Sequence, residues 1–226
     1  MPTQPSIIAI GDIHGLETWK QIVRTHPGCK FIFLGDYLDP YNYIPEAKLI
    51  ANLQEIIELK RQLGDSVILL LGNHDLHYMT QQAPRGSRYN PAIAKKAASL
   101  LSGNDGLFQY ACEERGAVFT HAGIIHKWFT DDFRGDLSQP IAAQLNQPKE
   151  GQMEALFSLG YPRGGMRGDR GGIFWADNTE LRDPLHGVKQ VAGHNRVTNI
   201  KTCTGDDDNE ITFCDSLWNG NYLYWE

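Results

Sequence analysis

Acidic and imidazole side chains recur in this chain directly after short apolar runs. Asp12 and His14 follow Ile7–Ile10, Asp36 and Asp39 follow Phe31–Leu34, and Asn73 and His74 follow Val67–Leu71. His121 follows Ala117–Thr120 and His194 follows Val188–Ala192. Oxygen and imidazole donors without thiolate suit Mn²⁺, Fe, Zn²⁺ or Mg²⁺ and argue against a structural cysteine-type zinc site. Asp12 and His14 are two apart, so on an extended segment their side chains leave one face. A carboxylate such as Asp36 can bridge two cations, because each oxygen offers lone pairs to a separate metal. Asn73 and the remaining histidines complete a second site. Two cations about 3.5–4 Å apart polarise a phosphoryl group and generate a nucleophile from water at neutral pH. His74 adjoins Asn73 on the opposite side of the backbone and is free to protonate a leaving oxygen, provided a carboxylate orients it. Singly, each motif reads as a turn, a helix cap or a satisfied strand-end histidine. Five such groups, each after a strand, are hard to explain as turns.

Periodicity predicts the elements that position these residues. Five aliphatic residues between Gly64 and Gly72 predict a strand buried on both faces, and a rigid strand fixes the position of the residues at its end. Leu16 to Thr25 has helical spacing and stops at Pro27-Gly28, and Pro45 to Leu63 predicts a long amphipathic helix with Ile50, Leu53 and Ile57 on one face. Strand, helix, strand, helix, strand predicts βαβ units and a largely parallel sheet. Further on, Ala92–Leu101 predicts a helix, and Phe108–Cys112 with Ala117–Thr120 predicts two strands joined by a turn. His126 to Leu159 is helical but weakly periodic, and leads into a Gly/Arg segment from Gly160 to Gly172. The tail reads as a meander: Thr198–Thr204, an acidic turn at Asp206-Asp207-Asp208-Asn209, Ile211–Cys214, and Asn221–Trp225 after Asn219-Gly220. No repeat or linker interrupts the chain, so one domain over 1–226 is expected.

The chain has 226 residues, 41% hydrophobic and 21% charged, with 21 Lys and Arg against 27 Asp and Glu, hence a net charge of −6. That balance gives no electrostatic reason for a nucleic-acid partner, though a local basic site for phosphate is compatible with it. The first residues lack the charged and apolar regions of a signal peptide, and no apolar run approaches the ~18–20 residues that span a bilayer. A cytoplasmic location without membrane contact is expected. Cys29, Cys112, Cys203 and Cys214 form no C-x-x-C pair and read as reduced thiols, the alternative being a bridge between Cys203 and Cys214 across one hairpin.

The sequence Asp12-x-His14, Gly35-Asp36-x-x-Asp39, Gly72-Asn73-His74-Asp75, His121-Ala122-Gly123 and Gly193-His194 resembles the ordered signature of the calcineurin-like metallophosphoesterases, over about residues 6 to 215. Ile173-Phe174-Trp175-Ala176-Asp177 resembles a segment of its phosphoprotein phosphatase (serine/threonine phosphatase-like) branch. The resemblance implies a four-layer α/β/β/α sandwich around two mixed sheets, with a dinuclear metal centre at its edge. Asp12, His14 and Asp36 would hold one metal; Asp36 as bridge, Asn73, His121 and His194 would hold the other. His74 would be the general acid, oriented by Asp39, with a metal-bridging hydroxide attacking phosphorus in line. Two divalent ions are implied, Mn²⁺ first, with Fe or Zn as alternatives.

Two departures stand out. Many phosphoprotein phosphatases place a phosphate-gripping arginine after the second Asp of the second motif, where this chain has Pro40. Many phosphodiesterases read Gly-His-x-His in the last motif, where this chain has Arg196, which favours the phosphatase-like branch. Arg170, in the glycine-rich loop with Arg163 and Arg167, and Arg196 are therefore the expected phosphate contacts. The reading is a phosphatase of phosphate monoesters on a protein, nucleotide or small metabolite. Its alternatives are a nucleotide or dinucleotide polyphosphate hydrolase or a phosphodiesterase, with Trp175 and the 37–43 loop stacking a base, and a non-catalytic scaffold of the same fold. His77 and His126 read as exposed or locally bonded, and Trp218, Tyr222, Tyr224 and Trp225 as core packing.

Overall fold

The computed structural model describes residues 5–205 and 209–226, so the acidic turn expected at Asp206–Asp208 lies outside the described residues. Three apolar runs and one short strand make the parallel part of the five-stranded first sheet: β1 Ile7–Ile10, β2 Lys30–Phe33, β3 Val67–Leu70 and β4 Phe108–Gln109. They run parallel to one another, with Ile8 opposite Phe31, Ile32 opposite Ile68 and Leu69 opposite Phe108. Helix α1 (Thr18–Thr25) connects β1 to β2 and α2 (Glu46–Leu63) connects β2 to β3. Helix α2 buries Leu49, Leu53, Ile56 and Ile57, a stripe at helical spacing that starts one residue earlier than the Ile50 stripe read from sequence.

The second sheet comprises β5 (Ala111–Glu114), β6 (Ala117–Thr120), β7 (Lys189–Ala192), β8 (Lys201–Thr204) and β9 (Glu210–Phe213), in spatial order β5-β6-β7-β9-β8. Strands β6, β7 and β9 are mutually parallel, and β5 and β8 flank them antiparallel. Alternation separates the two faces of each sheet. Ile7, Ala9, Ile32, Leu34, Ile68 and Leu70 pack against Cys112, Ala117, Phe119 and Val191 as the layer between the sheets. Ile8, Ile10, Phe31, Phe33, Val67 and Leu69 face outward, in the same core as Trp19, Ile22, Leu53 and Ile57 of the helices. Val118, Ala192, Ile211 and Phe213 do the same for the second sheet, in a core with Trp128, Phe129 and Leu145. The result is the four-layer α/β sandwich with two mixed sheets that the resemblance implies.

Four expectations are corrected. Phe108–Cys112 is not one strand: the chain changes sheet at Tyr110, so β4 pairs with β3 and β5 with β6. The side chain of Asn146 takes the backbone N–H groups of Tyr110 and Ala111 at 2.7 and 3.1 Å, supplying partners at the crossing. The tail is not a meander, because after a turn closed by Gly220 (φ 82) the last strand, β10 (Leu223–Trp225), pairs antiparallel with β1. Trp225 reaches the inter-sheet layer beside Phe119, whereas Trp218 and Tyr224 are exposed. The region His126–Leu159 holds only a π-helical turn, Trp128–Asp132, and the short helices α5 (Ile141–Asn146) and α6 (Met153–Leu156). Two further helices, α3 (Asn73–Met79) and α4 (Ala94–Ser102), precede them in the chain. All four cysteines are free, and among the described residues no helix is long and apolar enough to cross a membrane.

Candidate active site and metal centre

The polar residues singled out by spacing all lie just past the carboxyl ends of strands: Asp12 and His14 after β1, Asp36 and Asp39 after β2, Asn73 and His74 after β3, His121 after β6 and His194 after β7. The two sheets thus contribute to one site at their common edge. The loops after β1 and β2 run side by side, His14 N–H donating to the Asp36 carbonyl at 2.6 Å and Gly15 N–H to that of Tyr37 at 3.0 Å. This segment is not extended, contrary to expectation. His14 (φ 42), Asp36 (φ 53), Asp39 (φ 58) and His194 (φ 58) are left-handed, four of the seven such non-glycine residues described. Backbone strain of that kind persists only where the surroundings over-determine it, and it concentrates at functional sites.

Glycines let the carboxylates approach the backbone. A Cβ on Gly72 would sit 2.2 Å from Asp36 Oδ1, and one on Gly193 2.3 Å from Asp12 Oδ1. In place of those methyls the backbone donates, His74 N–H to Asp36 Oδ1 at 2.8 Å and His194 N–H to Asp12 Oδ1 at 2.9 Å. Asp75, fully buried, ties the two loops together. It accepts N–H groups from Gly72 and Asp36 on Oδ2 at 2.8 Å each and from Tyr37 on Oδ1 at 2.9 Å.

Two overlapping donor groups share Asp36. Donor atoms of Asp12, His14 and Asp36 lie within 4.8 Å of one another, as do those of Asp36, His121 and His194. His14 Nε2 is 3.5 Å from Asp36 Oδ2, and His121 Nε2 is 3.5 Å from Asp36 Oδ1. The ring Nδ1 atoms of His14 and His121 donate to the carbonyls of Leu38 and Leu34, at 2.8 and 2.7 Å. A carbonyl only accepts, so both rings present an Nε2 lone pair to the site. Burial holds both imidazoles neutral, their pKa pushed down to about 3. His121 Nε2 then faces the oxygen of Asn73 at 2.9 Å, lone pair against lone pair, an arrangement a shared cation resolves. His194 Nε2 is buried without a hydrogen-bond partner. Burial, with neighbouring carboxylates adding, raises Asp12 and Asp36 well above the ordinary carboxylate range, so positive charge is needed to keep them ionised. The donor set fits two divalent metals.

Beside it stands a hydrogen-bonded acid pair. His74 Nδ1 lies 2.9 Å from Asp39 Oδ2, His77 Nε2 lies 2.8 Å from the same oxygen, and Tyr78 donates its hydroxyl to Asp39 Oδ1 at 2.5 Å. Burial would raise Asp39, but these three bonds hold it below its usual value. His77 is thus buried in this cluster rather than exposed. His126 stacks on His186 at 3.6 Å, away from the site.

Arginines close the pocket, and they are not the ones read from sequence. The pocket, about 310 Å³, is lined by Asp12, His14, Asp36, Asn73 and His194 of the donor set, by Tyr41 and Trp175, and by Arg85, Arg88 and Arg163. Arg88 donates Nε–H to the Asp39 carbonyl at 3.0 Å and places Nη2 3.2 Å from His74 Nε2. Arg163 is seated by Asp177 and Asn195, both at 2.9 Å. Arg170 does not line this pocket. Its guanidinium is held in a two-bonded pair with Asp132, at 2.7 and 2.8 Å, along a neighbouring groove. Arg196 lies at the rim, over the rings of Tyr41 (4.4 Å) and Trp218 (4.2 Å). Arg88 sits in the polar loop of residues 84–91, which has neither helical nor strand periodicity, and the one clue in sequence was the gap left by Pro40.

Comparison with known proteins agrees with the site. Two symmetrical bis(5'-nucleosyl)-tetraphosphatases, from Sodalis glossinidius and Cronobacter sakazakii, are 35% and 33% identical to this chain over 137 residues. Each match covers 54% of this chain but only 45% and 44% of the relatives, so the chain spans less than half of their length. A cold-active protein-tyrosine phosphatase from a psychrophilic Shewanella superposes over all of this chain and 83% of its own, with a TM-score of 0.56 at 14% identity. A serine/threonine phosphatase from Saccharomyces cerevisiae covers 94% of this chain and 68% of its own, with a TM-score of 0.50 at 17% identity. At such identities the likeness is one of fold alone. Residues 5–215, a span that holds every strand-end ligand of the site, match the family directly, and the chain belongs to the calcineurin-like phosphoesterases.

Proposed function

We propose that this metal-dependent phosphoric ester hydrolase acts on nucleotides, cleaving a phosphoanhydride or phosphoester bond. The observation that carries the reading is the pocket wall: Arg85, Arg88 and Arg163 surround the donor set, with Tyr41 and Trp175 beside them. Two divalent ions and one arginine suffice to neutralise a single phosphoryl group, and the additional guanidinium groups suit a substrate with more than one phosphate. The activity for which the two relatives are named, symmetrical bis(5'-nucleosyl)-tetraphosphatase, supports the same direction.

Asp12, His14 and Asp36 would hold one ion, and Asp36, Asn73, His121 and His194 the other, with Mn²⁺ the expected metal. When bound, the pair polarises the phosphoryl group and supplies a nucleophile from water at neutral pH. The protein's own groups do the rest. Arg88 grips the anion in the role left open by Pro40, and its guanidinium lies next to His74 Nε2. An oxygen leaving from that anion therefore departs within reach of His74. Asp39 accepts from Nδ1, which leaves Nε2 to deliver the proton. Burial lowers the pKa of His74 while Asp39 opposes the shift, and an arriving anion adds to the opposition. Arg163 completes the clamp, in the place the sequence suggested for Arg170.

The second reading is a phosphatase of phosphate monoesters on protein side chains. It is favoured by an open groove of about 1060 Å³ that shares Pro84 and Leu159 with the metal pocket and has room for an extended chain. Phosphate release with Mn²⁺ should be compared across a nucleoside triphosphate, a dinucleoside tetraphosphate, an aryl phosphate monoester, the matching diester and phosphopeptides. The nucleotide reading expects kcat/KM at least about tenfold higher for the nucleotides, one good charge-assisted contact's worth. Preference for phosphopeptides would replace it with the second reading, and preference for the diester would make the protein a phosphodiesterase. Absence of both cleavage and metal binding would leave a scaffold.

A further inference from the structure

A row of alternating cations and rings leads out of the metal pocket. The guanidinium carbon of Arg88 lies 4.0 Å from the ring centre of Tyr41, that of Arg196 lies 4.4 Å from the same ring, and Arg196 also covers Trp218 at 4.2 Å. Tyr41 in turn meets the edge of the metal-ligand candidate His14, ring centres 4.9 Å apart. These side chains come from separate stretches: the loop after β2, the 84–91 loop, the loop after β7 and the turn before β10. The turn before β10 is tied to the loop after β7, Val197 N–H donating to the Asp215 carbonyl and Ser216 Oγ to that of Thr198, both at 2.9 Å. Among the described residues Arg196 makes no hydrogen bond or ion pair, so its faces are occupied by rings while its N–H edges remain unused. The nearby charge opposing it is the carboxylate of Asp215, whose Oδ2 is buried without a partner. Stacking fixes a guanidinium's plane without consuming its donors, which is how arginine is held ready for phosphate. Trp218 remains 42% exposed and Tyr41 50%, although both belong to residue types that bury readily.

We propose that Arg196 and Trp218 form a second subsite for a nucleoside polyphosphate, Arg196 taking a phosphate beyond the one gripped by Arg88 and Trp218 stacking the base. This rests on the nucleotide reading above. The guanidinium carbons of Arg88 and Arg196 lie 4.0 and 4.4 Å from one ring centre, close enough together for a di- or triphosphate chain to reach both. The base then falls on the exposed indole at the outer end of the row. The neighbouring groove carries Asp131, Asp132, Glu154 and Asp169 against Arg134 and Arg170, a net negative lining that disfavours a polyphosphate there.

The test uses the full chain with Mn²⁺ and the variants Arg196→Gln, Arg196→Lys and Trp218→Ala. For Arg196→Gln, the ratio of kcat/KM for a nucleoside triphosphate to that for an aryl phosphate monoester should fall about tenfold or more, mainly through KM. Arg196→Lys should recover part of that loss. For Trp218→Ala the ratio should fall about fivefold or more, as the loss of one stacked base predicts. An unchanged ratio, or an equal loss on both substrates, would reduce Arg196 to a structural pin and overturn the subsite. ADP binding, monitored by tryptophan fluorescence of wild type and Arg196→Gln, separates this from the parent reading. If no nucleotide is cleaved but ADP binds and Arg196→Gln weakens it about tenfold, the subsite stands while the proposed reaction falls. If ADP does not bind, or binds both proteins equally, the subsite falls.

Discussion

His74 and Asp39 show how single side chains set the chemistry. Asp39 is left-handed and buried, and its two oxygens are committed to His74, His77 and Tyr78, so the His74 ring is held with one nitrogen engaged and the other aimed at Arg88. A proton donor fixed this way contributes on the order of 10²–10⁴ in rate. His74→Asn should therefore lower kcat by about that factor while metal content, measured by atomic absorption after gel filtration, stays at the wild-type level. Metal lost in step with activity would instead place His74 among the ligands. Asn73, the preceding residue, should behave in the opposite way, because its oxygen sits between His121 and His194 at 2.9 and 3.1 Å.

The junction of β3 with helix α3 is the element on which this precision depends. Helix α3 begins at Asn73 with no side chain available from Gly72 to cap it, and Asp75 supplies the capping carboxylate from within the helix. The same carboxylate spans to Asp36 and Tyr37, so the loop after β2 and the start of α3 form one rigid piece. Burial pushes the Asp75 pKa up to about 7, while three backbone N–H groups pull it back. Asp75→Ala would strand those three buried donors, at about 1–3 kcal/mol each when left unsatisfied. A loss of about 3 kcal/mol or more is expected in urea unfolding, with metal affinity falling in parallel. Stability within about 1 kcal/mol of wild type would show that the loops hold without the carboxylate.

At the scale of the whole molecule, two sheets meet at an edge lined with carboxylates that have no complete set of protein counter-charges. Asp12, Asp36, Asp75 and Asp215 are all nearly inaccessible, and burial raises the pKa of each. Metal bound to the folded state alone stabilises it by about 2.7 kcal/mol at a hundred times its dissociation constant. For a chain of this length a loss of that size lowers Tm by roughly 5–10 °C. Thermal unfolding with and without chelator should show that drop, and recovery when Mn²⁺ is restored. An unchanged Tm would mean that the edge tolerates its carboxylates unaided.

Much of the site was legible because its information is local. A strand buried on both faces must be a continuous apolar run, and the residue after it must emerge at the sheet's edge, so Ile7–Ile10, Phe31–Leu34 and Val67–Leu71 announced both the strands and the places of Asp12, Asp36 and Asn73. The break at Tyr110 and the return of Leu223–Trp225 to β1 were not legible, since strand pairing is a choice among distant partners that share the same alternation. The cationic wall was equally hidden: Arg163, Arg167 and Arg170 are indistinguishable by composition, and only packing gives Arg170 to Asp132 and leaves Arg163 in the pocket. By itself the sequence determined the donor types, their order and the strands that deliver them, because bond chemistry and periodicity act over a few residues. Tertiary structure alone decided which charges surround those donors, as in the bond from His194 N–H to Asp12 across 182 residues, because charge and hydrogen bonding select partners by distance in space.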